Sequence, residues 1–208
     1  MNRCREDAVT GADLVIGLIA VIAILFVIHI LLGSPLTADH DEGIIPRTIE
    51  ASADVLITDG DVYGFADTGG PYEGVTVAEG PTNPNTMGAV SLPLRLLEGE
   101  MGGVNMETAD VRISTQEHIE GLRYSGNMPL QRPNWTVASR SHVTAGETAD
   151  NDLIIEPGEI FTILVYPSMS LPPETTFSVQ IQAGKGEPFT MTRKVPGHIT
   201  PVMDLNAL

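Results

Sequence analysis

Two kinds of hydrophobic pattern divide this chain. From Leu14 to Leu32 the run LVIGLIAVIAILFVIHILL carries no charge and is interrupted by His29 and by the helix-weakening Gly17. A helix of that length spans roughly 28 Å, close to the hydrocarbon thickness of a bilayer. Gly33-Ser34-Pro35 stops it, since Gly suits a helix C-terminus and Pro cannot continue the turn. Beyond it the pattern changes to short β-prone stretches parted by Gly and Pro clusters such as DTGGPYEG and EGPTNPN. Strands are expected at Val62 to Phe65, Gly74 to Ala78, Ala89 to Leu97, Asp110 to Thr115 and Asn134 to Ala138. The stretch Thr48 to Ile57 is either a short second helix or the lead into the first strand.

The clearest β signal lies at the end. Asp152 to Tyr166 reads as two strands joined by the turn Glu156-Pro157-Gly158-Glu159. Thr176 to Gln182 and Phe189 to Lys194, around Ala183-Gly184-Lys185-Gly186, read as a hairpin. Phe177, Val179 and Ile181 alternate with polar residues, so one face of that strand should be buried. The expected fold is an N-terminal apolar α-helix followed by an all-β sandwich of Ig-like type.

Charge and cysteine usage narrow the partners. Eleven Lys and Arg against twenty-seven Asp and Glu give a formal charge of −16. That argues against nucleic acid or anionic headgroups as partners of the β part and suits a surface packed among copies of itself. The single cysteine, Cys4, precedes the apolar run, where neither a lipid-modified Cys nor a disulfide framework would place it.

The leader MNRCREDAVTG leaves three readings of the apolar run. A secretory signal needs a small-residue cleavage site after it, which GSPLTADH matches poorly. An uncleaved anchor is consistent with Arg3 and Arg5 inside and Asp39, Asp41 and Glu42 outside. In the third reading, Glu6 to Gly11 followed by Ala12-Asp13-Leu14 resembles the prepilin-like leader of archaeal flagellins, the archaellins. The end of the chain resembles the same family: Glu156 to Glu159 before an apolar strand, Leu171-Pro172-Pro173, the strand Phe177 to Ile181, the turn Gly184 to Gly186, and Arg193-Lys194-Val195-Pro196. So does the middle stretch PLRLLEGEMGGVNMETADVRIST.

The resemblance implies a cut between Gly11 and Ala12 by a prepilin-type peptidase, which leaves the helix on the mature protein. It divides the chain into leader (1–11), apolar helix (12–34), linker or short helix (35–56) and outer β domain (57–208). It implies a type IV pilin-like structural subunit of an archaeal cell-surface filament used for swimming, held in the membrane with its N-terminus inside before assembly and partnered by copies of itself. Gly17, Ala20 and Ala23 form a strip of small residues on which helices could pack. Asn134-Trp135-Thr136 is an N-glycosylation sequon, and archaellins are often glycoproteins. The alternative is a non-polymerising, membrane-anchored binding or accessory protein of the same machinery.

No enzymatic activity, cofactor or metal is expected. The histidines at 29, 40, 118, 142 and 198 show no paired ligand spacing, and no G-x-S-x-G, P-loop or GxGxxG phrase occurs. Asp39 to Glu42 around His40, Asp59-Gly60-Asp61 and Asp150-Asn151-Asp152 lack the order of a calcium loop and read as acidic turns.

Overall fold

In TFSVQIQ, Phe177, Val179 and Ile181 are buried while Thr176 and Gln180 face solvent. The same period of two builds most of the domain. The computed structural model describes residues 55–97, 102–144, 146, 148–184 and 187–206. Its strands are β1 (Leu56–Thr58), β2 (Tyr63–Ala66), β3 (Met87–Leu96), β4 (Val104–Asn105), β5 (Asp110–Thr115), β6 (Ile119–Tyr124), β7 (Asn134–His142), β8 (Ile154–Ile155), β9 (Glu159–Tyr166), β10 (Thr176–Gln182), β11 (Phe189–Lys194) and β12 (Val202–Asp204), with a 3₁₀ turn at Met106–Thr108. The apolar run Leu14 to Leu32 lies outside the described residues. Among the described residues no helix is long and apolar enough to cross a membrane.

The strands order as β11-β10-β5-β6-β7-β9-β3-β2-β12, with β1 on β3, while β4 and β8 form a separate pair. Most neighbours are antiparallel; β6 and β7 are parallel, through Arg123↔Asn134 and Tyr124↔Trp135. This corrects the expected Ig-like sandwich of two sheets. The domain is all-β, but one continuous sheet folds back on itself, and the short β6–β7 contact joins its halves. Right-handed twist accumulating over many strands lets such a sheet curl until its inner side chains meet. Leu92, Trp135 and Phe161 of one half and Val111, Val179 and Ile181 of the other share one apolar core.

The halves differ on their outer faces. Over β3 and β9 the excursion between β2 and β3 lays Tyr72, Val75 and Val77 onto Phe65, Ala89 and Leu164, forming a second apolar cluster. Sandwiched between two cores, nine of the ten residues of β3 are buried, which is why MGAVSLPLRL is nearly continuously apolar. Pro93 tolerates this central strand because its carbonyl, and with it its donor-less nitrogen, faces the gap between β1 and β2, where Asp59 N–H donates to it at 3.2 Å. Among the described residues the half β11-β10-β5-β6 has no such cover.

Several expectations need correction. Gly74 to Ala78 is not a strand. Glu73 (φ 46°) and Gly74 (φ 77°) make a tight turn closed by Tyr72 N–H to Val75 O at 3.0 Å and Val75 N–H to Tyr72 O at 2.8 Å, and beyond it Val77 only bridges to Leu130. The expected pair before and after Pro157-Gly158 exists, but β8 bonds to β4 rather than to β9. The strands β4, β6 and β12 were not expected, and β1 starts at Leu56, inside the stretch read as a short helix or a lead into the first strand. In IEGLRY the apolar positions 119, 122 and 124 break the alternation, because Ile119 stands outside while Leu122 is buried. The β10–β11 hairpin has the expected bounds, with Val179 opposite Met191.

Candidate functional site

Three connections converge on one buried carboxylate. Asp67 directly follows β2 and is 2% exposed. Its Oδ1 accepts from Arg132 Nη2 at 2.8 Å, and its Oδ2 accepts from the Ser170 hydroxyl and from Asn83 N–H at 3.3 Å. Arg132, just before β7, also donates from Nη1 to Ser170 Oγ at 3.1 Å and lies over the Tyr166 ring at 4.3 Å. A charge this deep persists only when paired and hydrogen-bonded, and both conditions are met here. Ser170 gives its proton to a carboxylate already filled by other donors and accepts from a guanidinium. That is a fastener, not an activated nucleophile, which needs a base free to take the proton.

The fastener fixes the connection between β9 and β10, which parts two grooves. One, of ≈ 660 Å³, is floored by Ile113 and Leu171 and rimmed by Glu117, His118 and Glu174. The other, of ≈ 670 Å³, runs past Glu79, Gln131, Arg132 and Tyr166. Met169, 60% exposed, stands between them and lines both. Ser168 N–H donates to Glu120 Oε1 at 2.7 Å, so this wall is tied to β6 as well.

The sequon lies at the start of β7. Asn134 is half-buried between Arg123 and Tyr166 on the neighbouring strands, and the hydroxyl-bearing Thr136 is 2% exposed. The folded domain therefore hides half of the sequon. Gly11, Ala12, Gly17, Ala20, Ala23, His29 and the Asp39 to Glu42 cluster lie outside the described residues.

The remaining acidic turns have internal partners. Asp59 pairs with Arg95 Nε at 2.9 Å, and Asp61 accepts from the Tyr63 hydroxyl at 3.2 Å and from Asn206 Nδ2 at 3.0 Å. Asp150 Oδ1 takes Asp152 N–H at 2.9 Å, and Asp152 Oδ1 takes Ile154 N–H at 2.7 Å. These are the local side-chain-to-backbone bonds that acidic turns make. The bond to Asp61, with its charge, pushes the Tyr63 phenol above its ordinary range, and the bond to Asp110 does the same for the Arg112 guanidinium. His142 Nδ1 accepts from Thr144 N–H at 3.1 Å, and His118 Nε2 lies 3.8 Å from Glu120. Among the described residues no three His, Cys, Asp or Glu side chains are grouped to hold a metal ion.

Sequence reasoning missed the Asp67–Arg132–Ser170 fastener altogether. Its members are 65 and 103 positions apart, and no local pattern marks them.

No protein-family model matches the chain, and no curated protein sequence matches it. Solved structures do. A chain of the archaeal flagellum of Methanospirillum hungatei strain JF1 is 15% identical, with a TM-score of 0.53 over 94% of this chain and 99% of that one. The archaeal flagellin FlaB1 of Methanocaldococcus jannaschii is 16% identical over 72% of this chain and 95% of that one, with a TM-score of 0.49. The archaellum periplasmic stator complex of FlaF and FlaG from Sulfolobus acidocaldarius matches 53% of this chain and 81% of its own at 18% identity, with a TM-score of 0.37. The last two are too distant in shape to carry an argument. The first is not, and the fold of this chain is similar to that of the M. hungatei archaeal flagellum, as the sequence resemblance to archaellins implies.

Proposed function

We propose that this chain is a component of an archaeal cell-surface filament of the archaellum type, and within it a structural subunit rather than an enzyme. The observation that carries this reading is a fold shared with the M. hungatei flagellum across nearly the whole of both chains, in a sequence that opens on a prepilin-like leader and an apolar helix. In this reading the Leu14 to Leu32 helix holds the precursor in the membrane. After cleavage between Gly11 and Ala12 it packs with copies of itself. Large apolar side chains are worth about 1.5–3 kcal/mol each when taken from water, so the run more than offsets association costs of about 4–15 kcal/mol. The acidic β domain forms the outer layer, and swimming motility is the role this implies. A glycan on Asn134 belongs to the same reading and would be attached before folding, because Thr136 is inaccessible afterwards.

A second reading, a membrane-anchored accessory protein of the same machinery, is favoured by Pro35 and Pro46, which cut the helix shorter than archaellins usually have it. Imaging of a cell-surface shear fraction, with mass spectrometry of its bands, separates the two. The subunit reading expects filaments that contain this chain with Ala12 as its N-terminus. Recovery from the membrane pellet alone, or an intact Met1, overturns it.

A further inference from the structure

The half of the sheet that no described residue covers presents a surface unlike the rest of this acidic chain. Its outer side chains run in register across four strands. Thr190, Gln180, Arg112 and Gly121 form one row, and Thr192, Ser178, Ser114 and Ile119 form the next. The Ser178 and Thr192 hydroxyls bond each other at 2.7 Å. Ile119, 71% exposed, is the most exposed of the large apolar residues among those described. Among the described residues its acidic side chains are paired: Asp110 is held by Arg112 Nε at 3.0 Å, and Glu174 by Lys194. Three of the eleven basic residues, Arg112, Arg123 and Lys194, stand there too.

The opposite end of the strand order carries the complementary charge. Asp204 pairs with Tyr63 across β12 and β2. Asp61 accepts from the Tyr63 hydroxyl, and Glu73 accepts at 3.2 Å from Ser91, the partner of Tyr63 on β3. Asp61, Glu73 and Asp204 therefore flank one position at the β2–β12 edge.

We propose that the uncovered face of β11-β10-β5-β6 docks a second copy of this chain, and that the partner surface is the acidic β2–β12 edge of that copy. Copies with a formal charge of −16 repel one another over most orientations, and on this face Asp110 and Glu174 are each already held by a cation while Arg123 adds a further positive charge. Hydroxyl and amide side chains in flat rows supply hydrogen bonds across the contact, and Ile119 supplies an apolar anchor. The two surfaces differ, so the contact is head-to-tail. A head-to-tail contact that does not close a ring grows into a filament.

The inference rests on the filament-subunit reading, and one experiment separates their failures. Full-length wild type, Arg112→Glu/Arg123→Glu and Glu73→Lys/Asp204→Lys are expressed in a deletion background. Filaments in the shear fraction are counted and the chain in the membrane is quantified. Each double variant should reach the membrane at wild-type level, while filament number falls at least about tenfold, the factor that 1.4 kcal/mol of contact energy represents. If a charge-reversed chain fails to accumulate, Arg112→Gln/Arg123→Gln and Glu73→Gln/Asp204→Asn decide in the same way. Filaments of normal number from either pair overturn the docking surface while leaving the subunit reading intact. So does a face that serves a polysaccharide or another protein instead, since that also leaves filament number unchanged. Absence of wild-type filaments overturns both.

Discussion

Asp67 is the residue on which the order of the loops depends. Removing one partner from a buried ion pair leaves the other charge uncompensated, at about 3–5 kcal/mol. We expect Arg132→Ala to destabilise the domain by that order, because it strands the Asp67 carboxylate at 2% exposure, and Asp67→Ala by less, because the Arg132 left behind keeps 20% of its side chain in contact with water. Because both act on one network, the double variant should lose less than the sum of the two. Denaturant unfolding followed by the emission of Trp135, the single tryptophan and fully buried, measures all three. Additive losses would mean that the pair is not coupled. Tyr63 gives a second test at this scale. Asp61 raises its pKa by accepting its proton in a hydrogen bond and by its charge, so the neutral phenol is favoured in the folded state. A raised folded pKa contributes stability that is present below the unfolded value and is lost as pH climbs through the folded one. Ultraviolet titration should find one tyrosine ionising above the ordinary range, and Asp61→Asn should return it there. An unchanged titration in that variant would remove Asp61 as the cause.

Single elements were legible where packing has one buried side. In β10 the period of two identified both the strand and its buried residues, so Ile181→Ala, made at a fully buried site, should cost about 2–5 kcal/mol. Gln180→Ala, on the exposed face, should stay within about 0.5 kcal/mol. Equal losses at the two positions would contradict the face assignment. Where local chemistry and pairing diverge, the pattern misleads. The apolar Val75 and Val77 belong to a turn and a bridge because Glu73 and Gly74 reverse the chain before a ladder can form. The strip Gly17, Ala20 and Ala23 belongs to this scale too. If helices pack on it, Ala20→Leu or Gly17→Leu should leave membrane insertion intact and reduce filament number, since overpacking a close contact costs about 1–3 kcal/mol in every subunit. Normal filaments from both variants would remove the strip as the packing surface.

For the molecule as a whole, the β domain carries two apolar clusters of its own, so a fragment starting at Ile49 should be soluble, monomeric at low concentration and β-rich. Helical circular dichroism, or aggregation in spite of the negative charge, would contradict this. Its self-association should rise with salt, because repulsion between copies of net negative charge is screened beyond about 8 Å at physiological ionic strength. Sedimentation at two salt concentrations reads the effect, and association that falls with salt would point to attraction between opposite charges as the larger contribution.

Local periodicity by itself determined that the chain from residue 57 onward is built of strands, where the β10–β11 hairpin turns, and that the apolar Leu14 to Leu32 stretch stands apart in character. These follow from forces between residues near in sequence: alternation about a sheet, and Gly and Pro at turns. Tertiary structure alone decided that two sheets are one, through two residue pairs between β6 and β7. It alone brought Asp67, Arg132 and Ser170 together, and covered one half of the sheet with Tyr72, Val75 and Val77 while no described residue covers the other. A contact between residues 65 or 103 positions apart leaves no periodic trace, because each member obeys only its own neighbours until the chain has folded.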